Sequence, residues 1–147
     1  MPIMSGRGWD DARATTRLLA GTAVECLQNP KKAPERVTTL DNIYRLLESF
    51  RTNPIFGFVS IERRGHGKAV DAFTVSPPRE KHLTEVRDAI RDAVAVTFKG
   101  KSTDQAVMEV EEVLRLLAYP NKGKLKKPAV DRATRFFTEI SKRLAAA

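Results

Sequence analysis

The sequence predicts a mainly α protein, an about five-helix bundle with a short β-hairpin inserted between the second and third helices. Two observations indicate helices: apolar residues recur at alternating steps of three and four in five segments, and prolines fall between these segments. A sixth segment is instead rich in β-branched and aromatic residues. With 147 residues and 41% apolar side chains, the chain fits a single domain over 1–147.

The first two predicted helices span about 9–28 and 39–52. Steps of 4, 3, 4 and 3 in the first separate Ala12, Thr16, Leu19, Ala23 and Cys26. Steps of 3, 4 and 3 in the second separate Leu40, Ile43, Leu47 and Phe50. Thr38 with Asp41 resembles a capping arrangement at the start of the second helix. Each helix therefore has one face to bury, and Cys26 is predicted to be a core thiol.

The other three predicted helices span about 79–98, 103–118 and 129–145. Their apolar stripes are Leu83, Val86, Ile90 and Ala93, then Ala106, Val110, Val113 and Leu117, and finally Val130, Ala133, Phe137, Ile140 and Leu144. No stripe continues unbroken beyond about three heptads, so a long coiled coil is not expected. Short loops that carry proline and lysine connect the helices, which favours a bundle.

Residues 55–76 break the helical pattern. They place Phe, Val and Ile side chains around a Gly65-His66-Gly67 centre. This composition is typical of two short strands joined by a turn at 64–68, where the glycines are free to adopt positive φ. We therefore predict a β-hairpin, which must pack on the helices or pair with another chain because an isolated two-stranded ribbon is only marginally stable.

The chain is basic, and its charge is unevenly distributed. Twenty-six Lys and Arg residues against 18 Asp and Glu residues give +8, and residues 119–147 hold eight cationic and two acidic side chains, a net +6. This asymmetry favours a polyanionic partner, above all nucleic acid, over an acidic protein or a membrane surface. The alternative is a basic tail that is only solvated.

A cytoplasmic protein without a membrane partner is expected. The sequence has no run of about eighteen uncharged apolar residues, and its beginning, MPIMSGRGWDD, lacks the succession of regions that marks a secretory signal. Its single cysteine cannot form an internal disulfide, which agrees with a reducing compartment.

The stretch GKST at 100–103 matches the end of a phosphate-binding P-loop. The first glycine of that motif, which lets the backbone amides wrap around the phosphates, is replaced here by Ala95. We interpret the stretch as a helix boundary instead. Gly100 closes one helix, and Ser102 opens the next in a capping box with Gln105.

Cations that could contact phosphates cluster in three places. The main surface is the closing segment, with Lys122, Lys124, Lys126, Lys127, Arg132, Arg135, Lys142 and Arg143. The tip of the predicted hairpin adds Arg63, Arg64 and Lys68, and the boundary before Ser102 adds Lys99 and Lys101. The hairpin tip is equally explained as a turn made soluble by charge. Phosphate contacts attract without selecting sequence, because phosphates are the same everywhere.

Catalytic and metal sites are not predicted. Two histidines and one cysteine supply neither the spacing nor the four ligands of a zinc site. Glu109 and Glu112 share a helical face, but Glu112 can pair with Arg115, so a solvated face is preferred to a carboxylate-metal site. We therefore expect no cofactor, and we rank a catalytic role below binding functions.

Trp9 and Tyr119 are aromatic residues next to helix ends. Such residues more often cover a core, and the alternative is stacking on a base.

The sequence therefore predicts a small basic non-enzymatic protein, or an accessory subunit of a nucleoprotein complex. It would bind the phosphate backbone of DNA or RNA without strong sequence specificity. The alternative is a protein-interaction or oligomerisation module, in which a hairpin edge or a helix face binds an acidic protein partner or a second copy of the chain.

Overall fold

The computed structural model describes residues 12–52 and 77–145. Five α-helices lie in these ranges: α1 (Ala12–Gln28), α2 (Val37–Thr52), α3 (Pro77–Thr97), α4 (Thr103–Ala118) and α5 (Lys127–Ala145). Two 3-10 helices, Pro30–Arg36 and Pro120–Lys122, precede α2 and α5. No helix within the described ranges is long and apolar enough to cross a membrane.

Local sequence signals account for most of these boundaries, and the five predicted helices are confirmed, except that 9–11 lie outside the described residues. Pro77 opens α3 and Pro128 is the second residue of α5, because the first turn of a helix does not need the N–H that proline lacks. The start of α2 differs by two residues from the predicted start at about residue 39. This helix follows the 3-10 helix Pro30–Arg36 without a break, so it begins at Val37 and not at residue 39.

The bundle is built around α5. This helix packs against α1 and α3, while α2 packs mainly against α4. Near the start of α1, Arg13 Nη2 donates a 3.0 Å hydrogen bond to the carbonyl oxygen of Leu144 near the end of α5, so these two helices are antiparallel. Phe136 is completely buried and makes edge-to-face contacts with Phe98 and Phe137, at centroid distances of 6.1 and 5.2 Å.

The core contains most of the residues in the predicted apolar stripes, while Phe50 and Val130 are partly buried against it and the side chain of Leu83 is not described. Leu40, Ile43 and Leu47 of α2 are buried together with Cys26 of α1. Burial raises the pKa of the Cys26 thiol, which keeps the side chain neutral. Cys26 therefore acts as a small apolar core residue, as predicted.

The fold class requires one correction, because the inserted β-hairpin is not supported. Residues 12–52 and 77–145 contain no strand or sheet, so the described architecture is wholly helical. Residues 55–76, where the hairpin is predicted, lie outside the described residues, as do Arg63, Arg64 and Lys68 at its predicted tip. A β-branched and aromatic composition indicates suitability for a half-buried sheet surface and not an intrinsic backbone preference, so it was not sufficient to predict strands.

Candidate nucleic-acid interface

The linker between α4 and α5, residues 119–126, carries three unpaired lysines. Pro120 lacks the N–H that a continuing helix would use, so α4 ends before it and the chain makes one 3-10 turn. Lys122, Lys124 and Lys126 are all exposed, and none pairs with a carboxylate in the part of the chain that the structure describes. Since four residues of extended chain span at most about 14 Å, these cations are concentrated on a short length of backbone.

Contacts with α2 hold the linker at the end of the bundle where α1 connects to α2. The Tyr119 hydroxyl donates to Oδ2 and Oδ1 of Asp41, at 3.1 and 3.4 Å. This hydrogen bond raises the pKa of Tyr119, because the carboxylate stabilises the protonated phenol. The 3-10 helix Pro30–Arg36 packs against both α2 and α4. Lys31 of this 3-10 helix, which is exposed and has no ion pair with a described residue, therefore lies at the same end as the linker.

A single carboxylate forms ion pairs with both Arg132 and Lys101. Glu109 of α4 accepts hydrogen bonds from Arg132 Nε and Nη2, at 2.6 and 3.2 Å, and from Lys101 Nζ at 2.7 Å. Partial burial alone would raise the pKa of Glu109, but the hydrogen bonds from the two cations outweigh it, and the pKa lies below its ordinary value. These two predicted site residues therefore connect the α3–α4 turn and α5 to α4.

The cations at the end of α5 are paired in a similar way. Arg143 donates to Glu139, one turn earlier on the same helix, and its Nε lies 3.9 Å from Oδ2 of Asp92 on α3. Lys142 Nζ lies 3.9 Å from Oε2 of Glu139. The hydrogen bond from Arg143 holds the pKa of Glu139 below its ordinary value. Lys142 is therefore paired within α5, and Arg143 is paired both within α5 and with α3.

The remaining predicted cations differ in how strongly they are paired. Arg135 and Lys99 are exposed and have no ion pair with any residue that the structure describes. Lys127 Nζ lies 3.3 Å from Oδ2 of Asp131, but 85% of the Lys127 side chain is exposed, so water weakens this pair. The predicted site residues thus form three sets: unpaired Lys99, Lys122, Lys124, Lys126 and Arg135; paired Lys101, Lys127, Arg132, Lys142 and Arg143; and, outside the described residues, Arg63, Arg64 and Lys68.

The GKST stretch is a helix boundary, and the predicted capping box is confirmed. Ser102 Oγ accepts a hydrogen bond from the Gln105 N–H at 3.1 Å, and Gln105 Oε1 accepts one from the Ser102 N–H at 3.3 Å. Gly100 has a φ of +86° in the preceding turn, a conformation that favours glycine. Because the capping box uses two of the amides at this helix start, they are not free to wrap around a phosphate.

The three glutamates of α4 form ion pairs. Arg115 donates to Glu112 at 2.9 and 2.5 Å, which confirms the predicted pair. Glu111 is 4% exposed and accepts two hydrogen bonds from Arg51 of α2, at 2.8 and 2.9 Å. Among the described residues, no group of three or more His, Cys, Asp or Glu side chains could hold a metal ion.

Arg45 is an unpaired cation that the sequence analysis missed. It is exposed on α2, one turn after Asp41, and forms no ion pair with a described residue. Because Asp41 is hydrogen-bonded to Tyr119, a residue one turn further along α2 lies near the beginning of the linker. The feature of the sequence that could have identified Arg45 is its position outside the apolar stripe of α2. That position indicates exposure but not proximity to α4.

Comparisons of the chain with family models, curated proteins and solved structures found no match. Function is therefore inferred from the geometry and charge of the chain itself. The most informative group combines the unpaired cations of the linker with the two neighbouring residues described above. We call this group the linker surface, and it consists of Arg45, Tyr119, Lys122, Lys124 and Lys126.

Proposed function

We propose that this chain is a small non-enzymatic protein that binds nucleic acid through the phosphate backbone, alone or as an accessory subunit of a nucleoprotein complex. The observation that carries the proposal is that Arg45, Lys122, Lys124 and Lys126 are exposed and have no carboxylate partner in the described ranges. Each of these side chains can contact a phosphate without first breaking an ion pair. Such contacts provide affinity without strong sequence specificity.

Most of the predicted cations on the closing helix are held in ion pairs, whereas the linker lysines are not paired with any described residue. We therefore assign the proposed interface to the linker. If Arg132 turned towards a phosphate, Glu109 would lose one of the two cations that offset its partial burial. The linker lysines can turn towards a phosphate without leaving a described carboxylate unpaired. Arg135 is also unpaired and lies about 12 Å along α5 from Lys127, so it extends the interface on the exposed side of that helix.

The proposal is tested by binding measurements on two variants with matched charge. Lys122→Gln/Lys124→Gln removes two linker cations, while Arg17→Gln/Arg91→Gln removes two exposed cations from α1 and α3 that have no ion pair with a described residue. Fluorescence anisotropy with labelled single- and double-stranded DNA and RNA, over a series of salt concentrations, gives the affinity and its salt dependence. The linker variant should bind more weakly, and its slope of log K against log salt should fall by about two.

The control variant should retain the slope of the wild type, because its cations lie outside the proposed contact. Equal losses in the two variants would indicate a general effect of net charge and would contradict the linker as the interface. If the wild type binds no nucleic acid even at low salt and forms a stable oligomer by light scattering, the alternative of a protein-interaction module is favoured instead.

A further inference from the structure

Tyr119 is an aromatic residue held at the surface. The residue is 43% exposed, although aromatic side chains have a large apolar area that is favourable to bury. Its hydroxyl is hydrogen-bonded to Asp41, so the side chain is anchored at its polar end while nearly half of the residue is in contact with solvent. An anchored ring loses less conformational freedom on binding than a mobile one, which favours its use as a contact.

Unpaired cations lie close to this ring on two elements. The Lys122 N–H donates a 3.0 Å hydrogen bond to the Tyr119 carbonyl oxygen, which places Lys122 one 3-10 turn further along the chain. Arg45 lies on α2, one turn after Asp41, which is hydrogen-bonded to the Tyr119 hydroxyl. Asp41, which accepts the Tyr119 hydrogen bond, is one acidic group beside the four cations of the linker surface. An exposed ring among free cations is the combination that binds single strands, in which bases stack on aromatic side chains and cations follow the backbone.

We infer that the nucleic acid bound at the linker surface is single-stranded and that one of its bases stacks on the ring of Tyr119. This inference rests on the proposed function, and it adds the substrate class. In a duplex the base faces are stacked on one another, so an exposed ring cannot reach them without unstacking a base. A single strand offers unstacked faces, and every base has one, so stacking adds affinity without sequence selection.

The test compares two substitutions that both remove the hydrogen bond to Asp41. Tyr119→Phe retains an aromatic ring, whereas Tyr119→Leu retains only an apolar side chain. Each is titrated with a labelled oligothymidylate of about 20 nucleotides, which is longer than typical site sizes. Each is also titrated with the matching duplex and with inorganic polyphosphate, which has the charge of a nucleic acid but no bases. Tyr119→Leu should weaken oligothymidylate binding about tenfold and Tyr119→Phe much less, and neither should change polyphosphate binding.

A spectroscopic measurement reports on the ring directly. The chain has two tyrosines, so protein labelled with 3-fluorotyrosine gives two fluorine NMR signals, and the Tyr119→Phe variant assigns them. The ring current of a stacked base should shift the Tyr119 signal when oligothymidylate is added, whereas polyphosphate should leave it in place.

The outcomes separate this inference from the proposed function. If the wild type binds oligothymidylate and Tyr119→Leu binds it equally well, stacking is refuted while nucleic-acid binding stands. If Tyr119→Leu weakens polyphosphate binding as much as oligothymidylate binding, the residue positions the cations and does not stack. Tighter binding of the duplex than of the single strand by the wild type would also overturn the inference. If the wild type binds none of these polyanions, the proposed function itself fails.

Discussion

The buried ion pair between Arg51 and Glu111 joins α2 to α4, the two helices that present Arg45 and Tyr119, and its loss should have a large effect on stability. Glu111 is 4% exposed, and Arg51 Nε and Nη2 donate to its two oxygens at 2.8 and 2.9 Å. Arg51→Met removes both donors and keeps most of the length of the side chain. The variant therefore leaves a carboxylate buried in α4 without its partner.

Removing one member of a buried ion pair leaves the other charge buried without a partner, which decreases the free energy of unfolding by about 3–5 kcal/mol. The Arg51 side chain is 21% exposed, so water can replace part of the lost hydrogen bonding, and we expect the lower end, about 3 kcal/mol. For a chain of this length, that change lowers the Tm by about 10 °C. In Arg51→Met/Glu111→Leu no charge remains buried, so this double variant should recover most of the loss.

Urea denaturation followed by far-UV circular dichroism measures these differences, with the m-value showing whether unfolding exposes the same surface in each protein. Arg115→Met provides the matched control, because Arg115 also donates two hydrogen bonds to a glutamate of α4 but its pair with Glu112 is open to solvent. Its effect should be much smaller, since water screens exposed pairs. Equal effects in Arg51→Met and Arg115→Met, or a double variant as unstable as Arg51→Met, would refute the role assigned to burial.

Three further predictions concern the α3–α4 boundary and the end of α5. Gly100→Ala should destabilise the fold by about 1 kcal/mol in urea because φ is +86°, although no atom obstructs the added Cβ; an unchanged midpoint would contradict this. Ser102→Ala should lower stability by about 1 kcal/mol through loss of the cap, and Ser102→Thr should retain most of it. Glu139→Gln should be less stable than the wild type at neutral pH. Since the folded pKa of Glu139 is lowered, its contribution is present above the ordinary carboxyl pKa and lost as pH falls, so the difference should shrink below about pH 4 in a pH series of urea titrations.

The helices could be predicted because each one carries its own periodic signal. The spacing of Leu40, Ile43 and Leu47 is set within a single element, and burying that stripe requires no knowledge of which helix covers it. The start of α2 could not be read in this way, because Thr38 with Asp41 indicated a start at about 39, whereas the 3-10 helix Pro30–Arg36 continues directly into α2 at Val37. The hairpin prediction relied on composition and on a glycine-flanked turn, and strand formation depends on a pairing partner that neither of these specifies.

The pairing state of the cations could not be predicted, because it depends on contacts between distant parts of the chain. Arg132 and Glu109 are 23 residues apart, and the residues of the Tyr119–Asp41 hydrogen bond are 78 apart. Helical periodicity gives the face on which each side chain lies but not the helix that faces it. The pair of Glu112 and Arg115 was predictable for the opposite reason, since residues three apart on one helix are neighbours whatever the tertiary fold.

Because of these ion pairs, the net +6 charge on residues 119–147 does not measure how strongly the whole segment attracts a polyanion. Arg132 and Arg143 connect α5 to carboxylates on α4 and α3, so their charge stabilises the helix packing and is largely compensated at short range. The segment 119–130 contains four lysines and no acidic residue, and three of those lysines have no described partner. Because the Debye length at physiological salt is about 8 Å, a polyanion responds to such local excess more than to the net charge of the chain. The attraction is therefore expected at one end of the bundle, at the linker, and not along the whole of α5.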